Sequence, residues 1–360
     1  MRALAARVML AAILIAAACA RPATTASRPA PRRYPVVPAA AATSALATSI
    51  PAPPPARWLG LLGEYSNGPL FRIVAEESGH LQLVDSALHI TRLVERGDAR
   101  FVTDPGGERA DFERDATGHG TALLLGNARL QRDEIEPRAG TNQLRVTPVR
   151  PVEELRAEAR AASPPVEAGP FKANDLVELV KLDSTIHLEI RYATTNNFLG
   201  TRFYDQARAF MQRPAAEAVV RANQALRPLG YGLLIHDAYR PWYVTKMFWD
   251  ATPLDKRWLV ADPAQGSRHN RGAAVDLTLY DLATGRPVEM PSTYDESTER
   301  AYADYPGGTS RQRWHRALLR RVMEAEGFKV NPTEWWHFDH ESWRSYGINN
   351  VPFDQVPPTH

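Results

Sequence analysis

The rhythm of apolar and polar positions changes several times along this chain. Val8 to Ala18 is an apolar run, and residues 20–57 then lose all period in a mixture of Ala, Pro, Thr and Ser. From Trp58 to about Glu136 short apolar runs (Phe71–Val74, Leu81–Val84, Ala122–Leu125, Ala128–Leu130) alternate with turn signals at Ser78-Gly79, Pro105-Gly106-Gly107 and Thr117-Gly118. That spacing predicts short strands of a small antiparallel sheet, barrel or sandwich over 58–136. Residues 137–170 read as a linker, partly helical over Pro151 to Ala162 and ending in Ser163-Pro164-Pro165.

Beyond 171 the periods mix. Pro214 to Leu229 reads as a helix opened by proline in its first turn and stopped before Gly230, with a short buried strand following over Gly232 to His236. Arg311 to Glu326 predicts a second helix, with Trp314, Leu318, Val322 and Ala325 on one stripe and Gly327 as its stop. Leu277–Tyr280 and Trp335–Phe338 read as strands. The expected architecture is an α+β domain over 171–360, large enough for its own core, preceded by a small all-β domain.

Composition narrows the class. The 360 residues are 44% hydrophobic and 23% charged, as in ordinary globular protein. A net charge of +2 without a long basic tract argues against a nucleic-acid partner. One cysteine, Cys19, excludes an intramolecular disulfide. Arg2 and Arg7 precede the apolar run and Ala16-Ala17-Ala18 closes it, the pattern of an export signal over 1–19. A lipidated Cys19, a plain cleaved signal and an uncleaved anchor stay open, and all three put the protein outside the cytoplasm. The favoured expectation is a periplasmic lipoprotein, associated with the membrane through its N-terminal lipid. The Pro-rich stretch 20–57 would then serve as a semi-stiff tether.

Two stretches carry the chemistry: Ser267-Arg268-His269-Asn270-Arg271-Gly272-Ala273-Ala274-Val275-Asp276 and Glu334-Trp335-Trp336-His337. A catalytic zinc site takes three protein ligands and leaves a fourth position open, and a base that does not bind the metal must stand beside it. His269, Asp276 and His337 suit the first role, and Glu334 suits the second. Seven residues separate His269 from Asp276, so they converge only if the chain bends, and Arg271-Gly272 is the candidate bend. Glu334 and His337 are three apart, which fits one face of a helix but not of a flat strand; both geometries stay open. Arg240, just after the strand and before Pro241, is either an oxyanion donor or the partner of Asp237 in a turn-holding ion pair. His80, His89 and His119, lacking acidic neighbours of the right pattern, read as surface or turn histidines.

These residues resemble the D-alanyl-D-alanine dipeptidases, zinc enzymes of the vancomycin-resistance type grouped with zinc D-Ala-D-Ala carboxypeptidases and the hedgehog signalling domain. The matching strings are Arg191-Tyr192-Ala193-Thr194 with Asn197-Phe198, Gly230 to Pro241, His269 to Tyr280, Gly285 with Met290, and Glu334 to His337. They cover about 175–345, and nothing before about 170. The resemblance implies one Zn2+ on His269, Asp276 and His337, with Glu334 as base and Arg240 at the transition state. It also implies that Asp295 pairs with the substrate's ammonium in a pocket lined by Tyr192, and that the substrate is a small D-amino-acid dipeptide. Two departures bear on the substrate: Arg268 stands where the resistance-type enzyme has serine, and His236 where it has tryptophan. The 58–136 section loosely resembles a small β-domain that accompanies some serine β-lactamase-like hydrolases.

The expected function is zinc-dependent hydrolysis of D-alanyl-D-alanine in cell-wall peptide turnover or salvage. The competing readings are a carboxypeptidase or endopeptidase acting on longer wall peptides, and a zinc-stabilised binding module without turnover. Keeping both Glu334 and Arg240 argues against the last.

Overall fold

The computed structural model describes residues 33–36, 49–133 and 145–359. Cys19 and the export signal lie outside them, as does most of the tether. Among the described residues no helix is long and apolar enough to cross a membrane.

The first body is an eight-stranded antiparallel sheet: β1 (Gly63–Asn67), β2 (Leu70–Glu77), β3 (His80–Asp85), β4 (Ile90–Gly97), β5 (Arg100–Asp104), β6 (Ala110–Arg114), β7 (Gly120–Leu125) and β8 (Ala128–Arg132). Each strand pairs with its neighbours in sequence except β5 with β6, and β1 also pairs with β8. The remaining edges meet through a Val102–Arg109 bridge and a 2.8 Å bond from Phe112 N–H to Ala99 C=O. The sheet therefore curls into an up-and-down barrel, which removes exposed edges. Alternate side chains point inward, and Tyr65, Leu81, Phe101, Phe112, Leu123 and Leu130 fill the interior. Arg132 ties one end, donating to the carbonyls of Gly60 at 2.7 Å and Leu62 at 2.6 Å.

The second body is built on a five-stranded sheet in the order β10-β12-β13-β15-β14, comprising β10 (His187–Leu188), β12 (Tyr231–Asp237), β13 (Ala274–Asp281), β14 (Phe328–Asn331) and β15 (Glu334–His340). Only β10 and β12 pair in parallel. A two-stranded ribbon joins β9 (Leu176–Glu178) to β11 (Phe210–Gln212). Four helices of ten or more residues complete it: α1 (Val152–Ala161), α2 (Arg213–Leu226), α3 (Trp242–Ala251) and α4 (Ser310–Ala325).

Helix α2 buries Ala215, Ala218, Val219, Ala222 and Leu226, a stripe of helical period. It ends three residues before the sequence suggests, because Arg227–Leu229 tightens into a 3₁₀ turn closed by Gly230 at φ 86°. Helix α4 begins with a capping box between Thr309 and Gln312. Tyr231 of β12 meets His315 of α4, which puts α4 on the face shared by Leu233, Ile235, Leu277 and Leu279. The opposite face carries Asp276.

Residues 151–162 behave differently from the expected linker. Val152, Leu155 and Ala159 of α1 lie in the main core together with Val146, and α1 packs on α3. Three apolar positions on one face suffice to draw in a helix that is otherwise charged.

Candidate active site

The bend between His269 and Asp276 is a 3₁₀ turn over His269–Arg271 followed by Gly272 at φ 66°. A side chain there would be strained, and its Cβ would stand 2.6 Å from Leu176 Cδ2. The chain turns on this glycine into β13, so His269 faces back over Asp276.

Glu334 and His337 share a face for a different reason. Val330 pairs with Phe338 while the next residue of β14, Asn331, pairs with Glu334. The intervening residues of β15 bulge out, and the bulge undoes strict alternation. Glu334 Oε2 comes within 3.8 Å of His337 Nδ1 and accepts a 2.9 Å bond from Asn331.

His269, Asp276 and His337 meet. His269 Nε2 lies 3.2 Å from His337 Nδ1 and 3.5 Å from Asp276 Oδ1, and His337 Nδ1 lies 3.0 Å from the same oxygen. Tetrahedral zinc with ligands at about 2.0–2.1 Å requires donor atoms about 3.3–3.4 Å apart. Two imidazoles and a carboxylate at this spacing fit the ion in donor type and in distance. Among the described residues this is the group of three such side chains close enough to share a metal.

Each of the three has an outer partner that holds it in place. His269 Nδ1–H donates to Ala238 C=O at 2.7 Å, which leaves Nε2 as the donor atom for a metal. His337 Nε2 lies 2.9 Å from Asp339 Oδ1, and Asp276 Oδ2 accepts a 3.0 Å bond from Tyr294. Burial alone would lower the His337 pKa, but hydrogen bonds to Asp276 and Asp339 raise it well above the usual value. Burial pushes Asp276 upward, yet the two imidazoles hold it far below the carboxylate range.

A cleft of about 290 Å³ opens over the cluster, with Trp258, Val260, Ser297 and Tyr302 among its walls and Glu334, Arg240 and Asp295 facing it. Burial lifts Glu334 above the ordinary carboxylate range, helped by the charge of Asp276. Arg240 is 8% exposed; its Nε and Nη2 bind Asp237 at 3.0 and 2.7 Å, and its guanidinium lies over Phe248 and Tyr192. The two roles left open for Arg240 are compatible, since the ion pair with Asp237 holds it in the cleft wall.

Asp295 accepts from Tyr192 at 3.1 Å and has φ 61°, uncommon for a residue other than glycine. Burial raises its pKa to about 8, with the charge of Asp276 adding to the effect. A carboxyl so placed gains by meeting a cation.

The structure also locates the two departures. Arg268 reaches away from the cleft to Asp339 at 2.5 Å and lies over Trp343, so it acts on the outer partner of His337. His236 is buried, with its pKa lowered to about 3 by burial, and stacks on Tyr294 at 4.6 Å. It serves as a neutral aromatic platform for the tyrosine that binds Asp276. Tyr294 and Asp339 were not singled out by the sequence reading. Asp339 could have been found, two residues after His337 on a strand, but Tyr294 leaves no local signal. His80, His89 and His119 are exposed.

Two imidazoles and a carboxylate converging at one face of a sheet, with a second carboxylate beside them in a cleft, define a metal-dependent hydrolase. Residues 172–347 match the peptidase M15 family, described as D-Ala-D-Ala dipeptidase. The chain is 36% identical over 174 residues to the D-alanyl-D-alanine dipeptidase of Escherichia coli, covering 48% of this chain and 89% of that protein. The D-alanyl-D-alanine dipeptidases of Enterococcus faecium and Streptomyces coelicolor are 34% and 32% identical, over 44% and 46% of this chain and 88% and 90% of their own lengths. The chain belongs to this peptidase family and is a zinc metallopeptidase.

Proposed function

We propose that this protein hydrolyses D-alanyl-D-alanine, with His269, Asp276 and His337 holding the zinc ion in a catalytic domain of the zinc D-Ala-D-Ala peptidase type. When bound there, zinc supplies a Lewis acid that polarises the scissile carbonyl and makes water more acidic. Glu334 takes the proton from the attacking water and passes it to the leaving amine. Its raised pKa suits both halves of that task, and such acid–base help is worth roughly 10²–10⁴-fold. Arg240 donates to the oxygen that gains charge as the carbonyl is attacked. Asp295, steadied by Tyr192, pairs with the free ammonium of the substrate.

The observation that carries this reading is a buried carboxyl facing the same small cleft as the metal cluster. An anion in the same small cleft as the metal cluster favours a substrate whose amino terminus ends there, and so a dipeptide over longer wall peptides. The relatives are themselves D-alanyl-D-alanine dipeptidases over most of their length, which supports the same substrate. Together with the apolar run before Cys19, the proposed setting is the periplasmic side of a membrane, in turnover or salvage of wall peptides.

Titration of the zinc-free protein with Zn2+, followed by D-Ala-D-Ala hydrolysis, tests the reading. One equivalent should restore turnover in the parent, and Glu334→Ala should bind zinc without turnover. Equal rates for Glu334→Ala and the parent would overturn the base assignment. Equal rates on N-acetylated and free dipeptide would overturn the substrate assignment.

A further inference from the structure

The barrel contributes no residue to the cleft, yet its buried carboxylates point toward the peptidase. Glu76 of β2 is fully buried and accepts from Ser310 N–H and Ser310 Oγ, both at 2.9 Å, at the start of α4. The N–H of Glu76 donates to Gly308 C=O at 3.0 Å, and Arg313 returns a 2.7 Å bond to the Glu76 carbonyl. Tyr305 inserts among Phe71, Ile73 and Val84 on the outer face of the barrel, and Tyr34 packs on it. Its hydroxyl bonds to the second buried carboxylate, Glu64 of β1.

Every one of these contacts falls on residues 300–313, just past the loop that carries Asp295. The link back to Asp295 is short. Arg300 lies in the field of Glu64, pairs with Glu296 at 3.4 Å and donates to Pro291 C=O at 3.0 Å. The Glu296 side chain is fully buried and accepts from Thr298 at 2.5 Å. Glu296 directly follows Asp295, whose left-handed backbone needs support from its surroundings. At the same edge Arg33 N–H donates to Glu299 at 2.8 Å, while the Arg33 guanidinium pairs with Asp133 and covers Phe71 at 4.1 Å.

We propose that the barrel is a positioning domain for the substrate-binding edge of the peptidase, acting through Glu64, Arg300 and Glu296 on the backbone that presents Asp295. Arg300 is the positioning residue: it joins both ends of the 291–300 loop and lies in the field of Glu64, whose carboxylate is held at the junction by Tyr305. This rests on the reading of Asp295 as the ammonium partner. A domain that merely tethers or spaces the enzyme would need neither buried carboxylates at the junction nor a bridge into this loop.

The test compares kcat/KM for free and N-acetylated D-Ala-D-Ala in the zinc-loaded full chain, for the parent and for Arg300→Met, Arg300→Lys, Glu64→Ala and Asp295→Ala. Arg300→Met and Glu64→Ala should each raise KM for the free dipeptide about tenfold with kcat within about twofold, leaving the acetylated substrate unaffected. Arg300→Lys should recover part of the preference. Thermal melts and zinc content identify any variant that fails to fold, and Glu76→Gln, which loosens the junction at α4, then takes its place with the same expected shift. If Asp295→Ala abolishes the preference for the free amine while the Arg300, Glu64 and Glu76 variants keep it, the positioning role is overturned and the Asp295 reading stands. If Arg300→Met shifts the preference and neither barrel variant does, the loop supports itself and the barrel role is overturned. If Asp295→Ala keeps the preference, the Asp295 reading fails first, and the positioning role fails with it.

Discussion

The two bodies solve the problem of burial in opposite ways. The barrel pairs its strands almost wholly with sequence neighbours and fills itself with Tyr65, Phe101, Phe112 and Leu123; among its described residues no three His, Cys, Asp or Glu side chains come near enough to share an ion. The peptidase buries Asp237, Arg240, His236, His269, Asp276 and Glu296, each with a named partner. Burying polar groups is costly unless they are hydrogen-bonded or paired. The chemistry is therefore confined to the peptidase, and the barrel's buried carboxylates, Glu64 and Glu76, lie where it meets the peptidase.

The sharpest way to separate the bodies is to remove a metal donor. Asp276→Ala should abolish turnover and zinc binding, measured by hydrolysis and metal analysis, while the β-rich circular dichroism of the barrel persists. Next in size, Arg240→Ala should lower kcat by about 10²–10³-fold with zinc retained, as expected for a lost oxyanion donor. It should also destabilise the fold, because Asp237 loses a buried partner. In the barrel the expectation reverses: Leu123→Ala should cost about 2–5 kcal/mol in denaturant unfolding and leave kcat per folded molecule unchanged.

The smallest effect concerns pH. His236 titrates at about 3 when folded, below the ordinary histidine value, so the unfolded chain binds the extra proton between them. Its contribution to stability is present above pH about 6.5 and is lost as pH falls toward 3. His236→Phe keeps the aromatic platform under Tyr294 and should flatten this acid-side slope by about one proton. An unchanged slope would mean that His236 does not remain neutral in the fold.

Much of the site could be read from the sequence because its pieces are local. Gly272 follows Arg271 where the chain has to bend, and its left-handed φ is one that glycine readily adopts. The 3₁₀ finish of α2 and the packing of α1 on α3 were not readable. Both are set by contacts far away in the chain. The spacing of Glu334 and His337 was ambiguous for a related reason: a bulge belongs to a pair of strands, and Asn331 shows it only when paired with Glu334. Barrel or sandwich could not be decided before the pairing of β1 with β8 was seen, since closure joins the first and last strands. Tyr294 was hidden because its role depends on His236 and Asp276, 58 and 18 residues away.

That seam between β1 and β8 has a consequence for ancestry. Asp133 N–H donates to Glu64 C=O at 2.8 Å, so the polypeptide enters and leaves the barrel at adjacent points. A unit whose two ends touch can be set between two stretches of chain without holding them apart. What then has to evolve is the adhesive side alone, a handful of substitutions around two acidic side chains.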